Sequence, residues 1–396
     1  MLQNNYNQNN PLFKGFIVKK FILNSNNEYE AFLEVPRKEN ICPNCGHITN
    51  IIKDYRIQRV KDLDLAGTSL TVILRKRRYI CCHCNKSFTE NNPLIKRYQH
   101  FTSRFYNYIF KELQSMQSFK HIAKKFSVSV TSIIRWFDNI SYPKAPILPE
   151  VFSIDEFKGN ANNEKFQCNI SDPVNHRIID ILPSRKQEDL CTYFRLNYSL
   201  TERCRIKTVV MDLSSLFKST ITLLFPNTEI VADKFHVTRL VNWSMEAVRK
   251  RIQKKFFKER RKWFKRSKNI LLKANYKLSI EDNLVLNRML AADSELEKAY
   301  ILKERFKKIF YSKTEEAAKQ ALSNWLMLAA DFAIPEFKHC ITTFTKWSKE
   351  IINTVKYKVS NGFIEGSNNK IKVLKRISYG VQNFERFRNR ILYLCS

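Results

Sequence analysis

No stretch of this sequence is apolar for long enough to cross a bilayer, which takes about 18 consecutive residues or more. Its first residues, MLQNNYNQNNPLFKGF, are polar and lack the hydrophobic run of a secretory signal. Internal repeats are missing, and so are low-complexity tracts beyond this Asn-rich start. A cytoplasmic protein is expected. Acid is scarce too: 37 Asp and Glu face 69 Lys and Arg, a formal charge of +32. That excess points to a polyanionic partner, with nucleic acid the first candidate. The chain is also rich in Lys, Asn and Ile, so part of the charge can follow from a biased genome. In a reducing compartment its ten cysteines stay reduced or hold metal rather than pair as disulfides. Apolar residues make up 44% of the 396, enough for a real core and for two to four compact units.

The cysteines show the first pattern. Cys42-Pro-Asn-Cys45 and Cys81-Cys-His-Cys84 are separated by 35 residues. Each Cys-x-x-Cys brings two thiolates to one tetrahedral ion from a tight turn, and two such turns complete the ligand set. The alternating stretch SLTVILRKRRYI between them reads as a strand. This is a zinc-ribbon layout with one structural zinc on Cys42, Cys45, Cys81 and Cys84. Cys82, His83 and His47 leave the register open. The run Arg75-Lys-Arg-Arg78 reads equally well as a phosphate contact or as a solvated strand end.

From Phe101 to Ile140 the pattern turns helical. SMQSFKHIAKKFSVSVTSIIRWFDNI has the form of a helix-turn-helix. Ile122, Ala123 and Phe126 would face inward from its first helix, and Ile133, Ile134 and Phe137 from its second. Ser127-Val128-Ser129 would make the turn, with Ser129 or Thr131 as the cap. Thr131, Ser132 and Arg135 would then face a major groove, although an ordinary helical hairpin has the same pattern. SYPKAPILPE, with three prolines, reads as a linker.

Beyond it, VFSIDEFKGN delivers Asp155 near a strand end. KFQCNISD and HRIIDILPS form a hairpin, and a helix over Lys186–Leu196 follows. KTVVMDLSS ends a buried strand at Asp212, SLFKSTITLLFP is helical, and EIVADKFHV reads as a strand carrying Asp233 and His236. The order β-β-β-α-β-α-β, with acids at strand ends, is that of an α/β ribonuclease H-like fold. There the first and fourth strands are neighbours, which sets Asp155 beside Asp212. Adjacent carboxylates repel unless a cation sits between them. Their hard oxygens suit Mg²⁺ or Mn²⁺, and a two-ion site needs a third acid. Glu156 would point to the opposite strand face, and Asp172 and Asp180 read as hairpin acids.

NGFIEGSNNKIKVLKRISYG offers that third acid. Glu365 stands between Gly362 and Gly366, two of only seven glycines in the chain, which would leave room for backbone or nucleic acid to come close. Lys372 lies seven residues on, on the same helical face, where it could reach a phosphate. The alternative is a helix-end acid favoured by the dipole. Between, residues 243–347 lack strand signals. RIQKKFFKERRKWFKRSK, Arg251 to Lys268, holds ten basic residues and one acid. Phe256, Phe257, Trp263 and Phe264 interleave with them. This is either a solvated face or a clamp whose cations neutralise phosphates while an aromatic stacks on an unpaired base. The later segments read as bundle helices, with Trp325 in their core.

VFSIDEFKG, VVMDLSSLF, IVADKFHVTRLVN and above all NGFIEGSNNKIKVLKRISYGVQNFERFRNRIL resemble the ISL-three group of bacterial insertion-sequence transposases, within the DDE superfamily. RRYICCHCNKSFTE and the helix-turn-helix resemble the same group, and the likeness runs in order along nearly the full chain. It implies a catalytic triad of Asp155, Asp212 and Glu365 holding two Mg²⁺ (or Mn²⁺) ions, with Asp233 and His236 matching the family's Asp-x-x-His pattern. His236 could touch the scissile phosphate or help place a metal; a structural pair at a strand end is the other reading. The departures are Cys82 and the long gap between the cysteine pairs.

The expected organisation is a zinc ribbon over 1–98, a helix-turn-helix over 99–141, a ribonuclease H-like core over 142–242 and 348–396, and an all-helical insertion over 243–347. The expected function is a transposase that binds the terminal inverted repeats of its element, cleaves the DNA ends and transfers the strands. It would work on double-stranded DNA, at the nucleoid, as a homodimer or larger. No covalent protein intermediate is needed. A non-catalytic DNA-binding regulator is the alternative, as is a nuclease of the same fold that only cuts; a degenerate transposase copy would keep the same acids.

Overall fold

The computed structural model describes residues 11–92, 94–95 and 99–395; the Asn-rich start lies outside them. The chain forms two compact units, residues 1–139 and 140–396.

In the first unit, β1 (Ile17–Leu23) and β2 (Tyr29–Glu34) make a hairpin. The short β3 (Asn40–Ile41) and β4 (Ile48–Thr49) frame the first cysteine pair. β5 (Ile52–Lys61) and β6 (Leu70–Ile80) form a long hairpin, and β7 (Ser87–Thr89) pairs with the end of β6. The sheet order is β1-β2-β6-β5. The 35-residue gap between the cysteine pairs is therefore this hairpin with its flanks. Leu70, Val72 and Leu74 alternate inward along β6 against Phe13, Phe16, Leu33 and Val60.

Within the basic run on β6, Arg77 fits neither sequence reading, while Arg75 remains exposed. Arg77 is buried, bonding Glu34, Glu90 and the Val35 carbonyl at 3.2, 3.2 and 2.6 Å. Arg75 pairs with Glu34 and Arg78 with Asp54, each at 2.9 Å. A cation inside a sheet needs such partners, because an unpaired buried charge is too costly.

Three helices complete the unit: α1 (Ser103–Leu113), α2 (Phe119–Lys125) and α3 (Val130–Phe137). Ser129 caps α3, its hydroxyl accepting from the Ser132 amide at 3.1 Å. Ile122, Ala123, Phe126, Ile133 and Phe137 are buried as expected. Trp136 is buried as well, and Ile134 only half so. The inward stripe of α3 thus runs through positions 133, 136 and 137 because Trp136 packs edge-on against Phe101 and Tyr106.

The second unit is built on the sheet β10-β9-β8-β11-β12. Its strands are β8 (Val151–Phe157), β9 (Gln167–Asp172), β10 (Arg177–Leu182), β11 (Thr208–Met211) and β12 (Glu229–Ala232). β8, β9 and β10 are antiparallel; β11 runs parallel to both β8 and β12. The neighbours β8 and β11 are the first and fourth strands of the unit. Helices α4 (Gln187–Asn197), α5 (Leu200–Cys204) and α6 (Ser215–Leu224) lie between β10 and β12 in sequence.

Strand alternation sorts the two faces of this sheet. Phe152, Ile154, Cys168, Ile170, Val209, Met211, Ile230 and Ala232 join a core with Leu190 and Phe194 of α4 and Phe217 and Ile221 of α6. The other face meets α15 (Gly362–Ile377) and α16 (Phe384–Cys395), through Phe157, Ile181, Ile371, Leu374, Phe387 and Ile391.

Between β12 and α15 the chain is helical: α7 (Lys234–Gln253), α8 (Lys258–Arg266), α9 (Lys268–Leu272), α10 (Ile280–Leu290), α11 (Ser294–Ile309), α12 (Glu315–Phe332), α13 (Lys338–Lys346) and α14 (Ser348–Tyr357). Trp325 is core here, its indole N–H donating to the Leu302 carbonyl at 2.8 Å. α14 covers β12 at the sheet edge, where Asn353 donates to the Ile230 carbonyl at 2.7 Å.

The proline-rich stretch 141–150 is not a free linker. Leu148 is buried, the Ala145 carbonyl accepts from the Tyr198 hydroxyl at 3.0 Å, and the Tyr142 carbonyl accepts from Arg388 at 3.0 Å. Three prolines limit helix and strand, but they do not prevent docking. Among the described residues no helix is long and apolar enough to cross a membrane.

Candidate functional site

The parallel register fixes where the acids stand. Met211 pairs with Ile154 on one side and with Ala232 on the other. Asp155, Asp212 and Asp233 each follow one of these residues, so the three acids form a row across β8, β11 and β12. Since Ile154, Met211 and Ala232 all point into the core, the acids point to the opposite face, the one α15 covers.

α15 is joined to this row at two points. Asn361 donates to Asp233 Oδ2 at 3.2 Å, and Asn368 donates to Asp155 Oδ2 at 2.8 Å. Glu365 lies four residues after the first and three before the second, on the same face of the helix. It is half-buried and makes no ion pair among the described residues. Lys372, one further turn along that face, is exposed. The acids of the expected triad do not all come within 4.8 Å of one another. The two glycines beside Glu365 answer no crowding within the protein: a Cβ at Gly366 would meet nothing within 4 Å, and one at Gly362 only the Ser360 hydroxyl at 3.4 Å.

Burial raises the pKa of Asp155 to about 6, with the charge of Asp212 adding to it. Asp212 is raised as well, chiefly by burial. Asp233 is buried too, yet its pKa is lowered, because His236, the Phe235 amide and Asn361 all donate to it. Burial disfavours the charged His236, but Asp233 outweighs that and raises its pKa. The sequence reading put Asp233 and His236 on a strand. They stand instead at the start of α7, which Asp233 caps through the Phe235 amide at 2.9 Å. The helical spacing i, i+3 is what brings His236 Nδ1 to 2.7 Å from Asp233 Oδ2.

Glu156 pairs with Arg185. Asp172 accepts the Val174 and Asn175 amides of its turn, each at 3.0 Å. Asp180 is buried between Arg388 and Tyr193, at 2.6 and 2.8 Å. Asp172 and Asp180 are thus buried with their oxygens engaged inside the protein.

The donor set fits a hard divalent cation. Asp155, buried, and Asp212, half-buried, are neighbouring carboxylates whose ionisation their surroundings oppose. Among the described residues, Asp212 Oδ1 and Asn361 Oδ1 are buried acceptors without a hydrogen-bond donor. Sequence reasoning missed Asn169, Asn361 and Asn368 here. The spacing of the last two from Glu365 was the available signal.

A separate metal centre lies in the first unit. The sulfurs of Cys42, Cys45, Cys81 and Cys84 gather within 4.8 Å, with 3.6 Å between Cys42 and Cys84 and 3.5 Å between Cys45 and Cys81. The four-sulfur group fits the register the sequence suggested, and a second group that shares Cys45, with His47 and His83, also lies within 4.8 Å. Cys82 is exposed and outside the set, and the His47 and His83 rings stack on each other at 4.1 Å. The Lys86 amide bonds the Cys84 sulfur and leads the effects that bring its pKa down to about 6. Four thiols so disposed suit tetrahedral zinc.

Comparison with known proteins decides what this assembly belongs to. A family model described as a transposase, of the ISL3 type, matches residues 152–391, more than half of the chain. This chain belongs to the ISL3 transposase family. The helix-turn-helix domain of the same family matches residues 90–141, and the zinc finger of the IS204/IS1001/IS1096/IS1165 transposases matches 38–84. The transposase for insertion sequence element IS1001 from Bordetella parapertussis is 24% identical over 367 residues, 90% of this chain and 89% of that protein. The transposase for IS1557 from Mycobacterium tuberculosis is 31% identical over 126 residues, 32% of this chain and 28% of its own. A Lactococcus lactis protein named an ATP-dependent protease is 32% identical over 109 residues, 27% of this chain and 33% of its own, too short a match to assign an activity. The transposase is thus an enzyme of DNA cleavage and strand transfer, with a DNA-binding helix-turn-helix and a zinc-binding ribbon.

Its strongest run of positive charge lies where α7 turns into α8. Phe264 is fully buried and Phe256 half-buried, whereas Phe257 is 93% exposed. Lys254, Lys258, Arg260, Arg261 and Lys262 surround it in sequence and are all exposed.

Proposed function

We propose that this transposase binds the terminal inverted repeats of its own insertion sequence and that Asp155, Asp212 and Glu365 are its catalytic acids. The single observation that carries the reading is the row of acids under α15, with Glu365 on the helix face between the two asparagines bonded to that row. The strand order β10-β9-β8-β11-β12 supports a ribonuclease H-like core. We divide the chain into a zinc ribbon (1–98), a helix-turn-helix (99–141), the two parts of the core (142–242 and 348–396) and a helical insertion (243–347).

Asp155, Asp212 and Glu365 would hold two Mg²⁺ or Mn²⁺ ions. When bound, these supply charge stabilisation to the attacking and leaving oxygens of a phosphodiester. The chain's own residues do the rest. The acids keep the site anionic until metal and DNA arrive. Lys372, exposed one turn beyond Asn368 on the same face of α15, contacts a phosphate oxygen. His236, its Nδ1 held by Asp233, offers Nε2 to the same phosphate. Water cleaves the phosphodiester at the element end and leaves a 3′-hydroxyl. That hydroxyl attacks a target phosphodiester, forming one P–O bond as another breaks and losing its proton to solvent. In the insertion, the cations around Phe257 neutralise backbone phosphates. Two ends must be held together, so at least two copies act on the DNA.

The test is cleavage and joining of the element's own end DNA with Mg²⁺, native protein against Glu365→Gln. The variant should bind the DNA as well as native protein does and neither cut nor join. Full activity in Glu365→Gln would remove Glu365 from the site.

A further inference from the structure

The amides under α15 form a directed chain. Asn169 Nδ2 donates to Asn368 Oδ1 at 2.9 Å and to Ser367 Oγ at 3.1 Å. Asn368 Nδ2 then donates to Asp155 Oδ2 at 2.8 Å. Asn169 is fully buried on β9, directly opposite Asp155 on β8, and Asn368 is 3% exposed. This arrangement has one orientation. Were Asn368 flipped, its carbonyl would face the Asp155 carboxylate and its NH₂ would face that of Asn169. The second oxygen of Asp155 accepts its neighbour's backbone amide, from Glu156, at 2.8 Å. Both oxygens therefore have fixed directions before any ligand arrives.

An amide is well suited to this task. A lysine or arginine beside Asp155 would orient it and also cancel its charge. An amide orients it and leaves the charge in place. At the start of α15, Asn361 repeats the device on Asp233. The two bonds pin the helix, one on either side of Glu365.

We infer that Asn368, oriented by Asn169, is a positioning residue that sets both the Asp155 carboxylate and the register of α15 for divalent-metal binding. The inference rests on the reading of Asp155 as a metal-holding acid. Groups that orient metal ligands typically change metal affinity or activity 10–100-fold when removed.

The test uses the full-length, zinc-loaded protein and Mn²⁺ as probe, with binding read as loss of the free Mn²⁺ EPR signal and cleavage of end DNA read in parallel. Asn368→Ala should weaken Mn²⁺ binding about 10–100-fold and raise the Mn²⁺ needed for half-maximal cleavage by a similar factor, with DNA binding unchanged. Asn169→Ser removes the orienting donor but keeps a small polar group. It should shift both readouts the same way by less, and it carries the test if Asn368→Ala does not fold. Ser171→Ala is the control: Ser171 lies on the same buried sheet face, and its hydroxyl has no hydrogen-bond partner among the described residues. Native Mn²⁺ binding in both asparagine variants overturns the inference, and so does an equal loss in Ser171→Ala. Asp155→Asn separates the two levels. If it binds Mn²⁺ and cleaves like native protein, the metal-site reading itself fails. If it is inactive while Asn368→Ala is native, only the positioning role falls.

Discussion

Asp155 and Asp212 stand side by side, each one residue beyond the Ile154–Met211 pair of two parallel strands. Asp155 is buried and Asp212 half-buried, and the pKa of each is raised. A fold gains no stability from such a pair by itself; the arrangement makes sense as a site kept ready for a cation.

In buffer free of Mg²⁺ and Mn²⁺, the Asp155 carboxylate should therefore destabilise the protein. Its folded pKa of about 6 lies above the ordinary 3.8, so the native state holds this proton longer than the unfolded chain does. Stability must then fall as pH rises from about 4 to about 6, and the whole penalty persists above that. A shift of this size corresponds to about 3 kcal/mol at most. Asp155→Asn is expected to melt higher than native protein at pH 8, by a margin that shrinks toward pH 4, while cleaving no DNA. Calorimetry at the two pH values checks this. An unchanged or lower melting temperature at pH 8 would count against it.

The ribbon should lose its shape with its metal. Native protein is expected to carry zinc on the four thiolates, and Cys81→Ser to carry little. Small ribbons of this kind owe much of their folding energy to the ion. Metal analysis gives the first readout and amide exchange over residues 38–89 the second. Retained protection in Cys81→Ser would assign the stability to the β5–β6 hairpin instead. Arg77→Ala should damage the same unit by another route. It leaves Glu90 buried without its charged partner, while Glu34 keeps only Arg75, and should cost about 3–5 kcal/mol, measurable by denaturant melting.

On α3, Arg135 and Thr131 are exposed and Ser132 half so. Arg135→Ala is expected to weaken binding to the element ends by about 1–3 kcal/mol and to relax base preference at one position. Binding assays on end DNA and on scrambled DNA separate this from a phosphate contact, which would weaken both equally and flatten the salt dependence.

The parts of this fold that were legible in the sequence are those with a local period or a fixed spacing. The two Cys-x-x-Cys turns, the cap at Ser129 and the alternation that turns Phe152 and Ile154 one way and Asp155 the other all come from neighbours in the chain. The strand reading of Asp233 and His236 failed at a boundary: EIVADKFHV stays apolar and β-branched across the point where Asp233 begins to cap a helix. Arg77 looked like a surface cation because nothing nearby in sequence shows that Glu34 and Glu90 close over it. Asn169 and Asn368 lie 199 positions apart, and only the docking of α15 on the sheet makes them one device. The hairpin β1–β2 was missed altogether, since its place beside β6 is a long-range pairing.

The insertion gives the last prediction. Of its four interleaved aromatics, Phe264 and Phe256 pack inward, Trp263 is half-buried, and only Phe257 is fully presented to solvent. It sits at the turn into α8, where exposed cations precede and follow it and Glu259 is the one acid close by in sequence. A ring so placed costs the protein nothing to remove, so its loss should be felt in DNA handling alone. Stacking on an unpaired base is worth about 1–3 kcal/mol. Phe257→Ala is therefore expected to melt like native protein, to bind a single-stranded oligonucleotide about tenfold more weakly or worse, and to join ends to target poorly. Phe257→Trp should keep both activities. Equal binding by native and Ala variants in fluorescence anisotropy would return this surface to plain electrostatics, with the lysines and arginines around it holding phosphates and the ring taking no part.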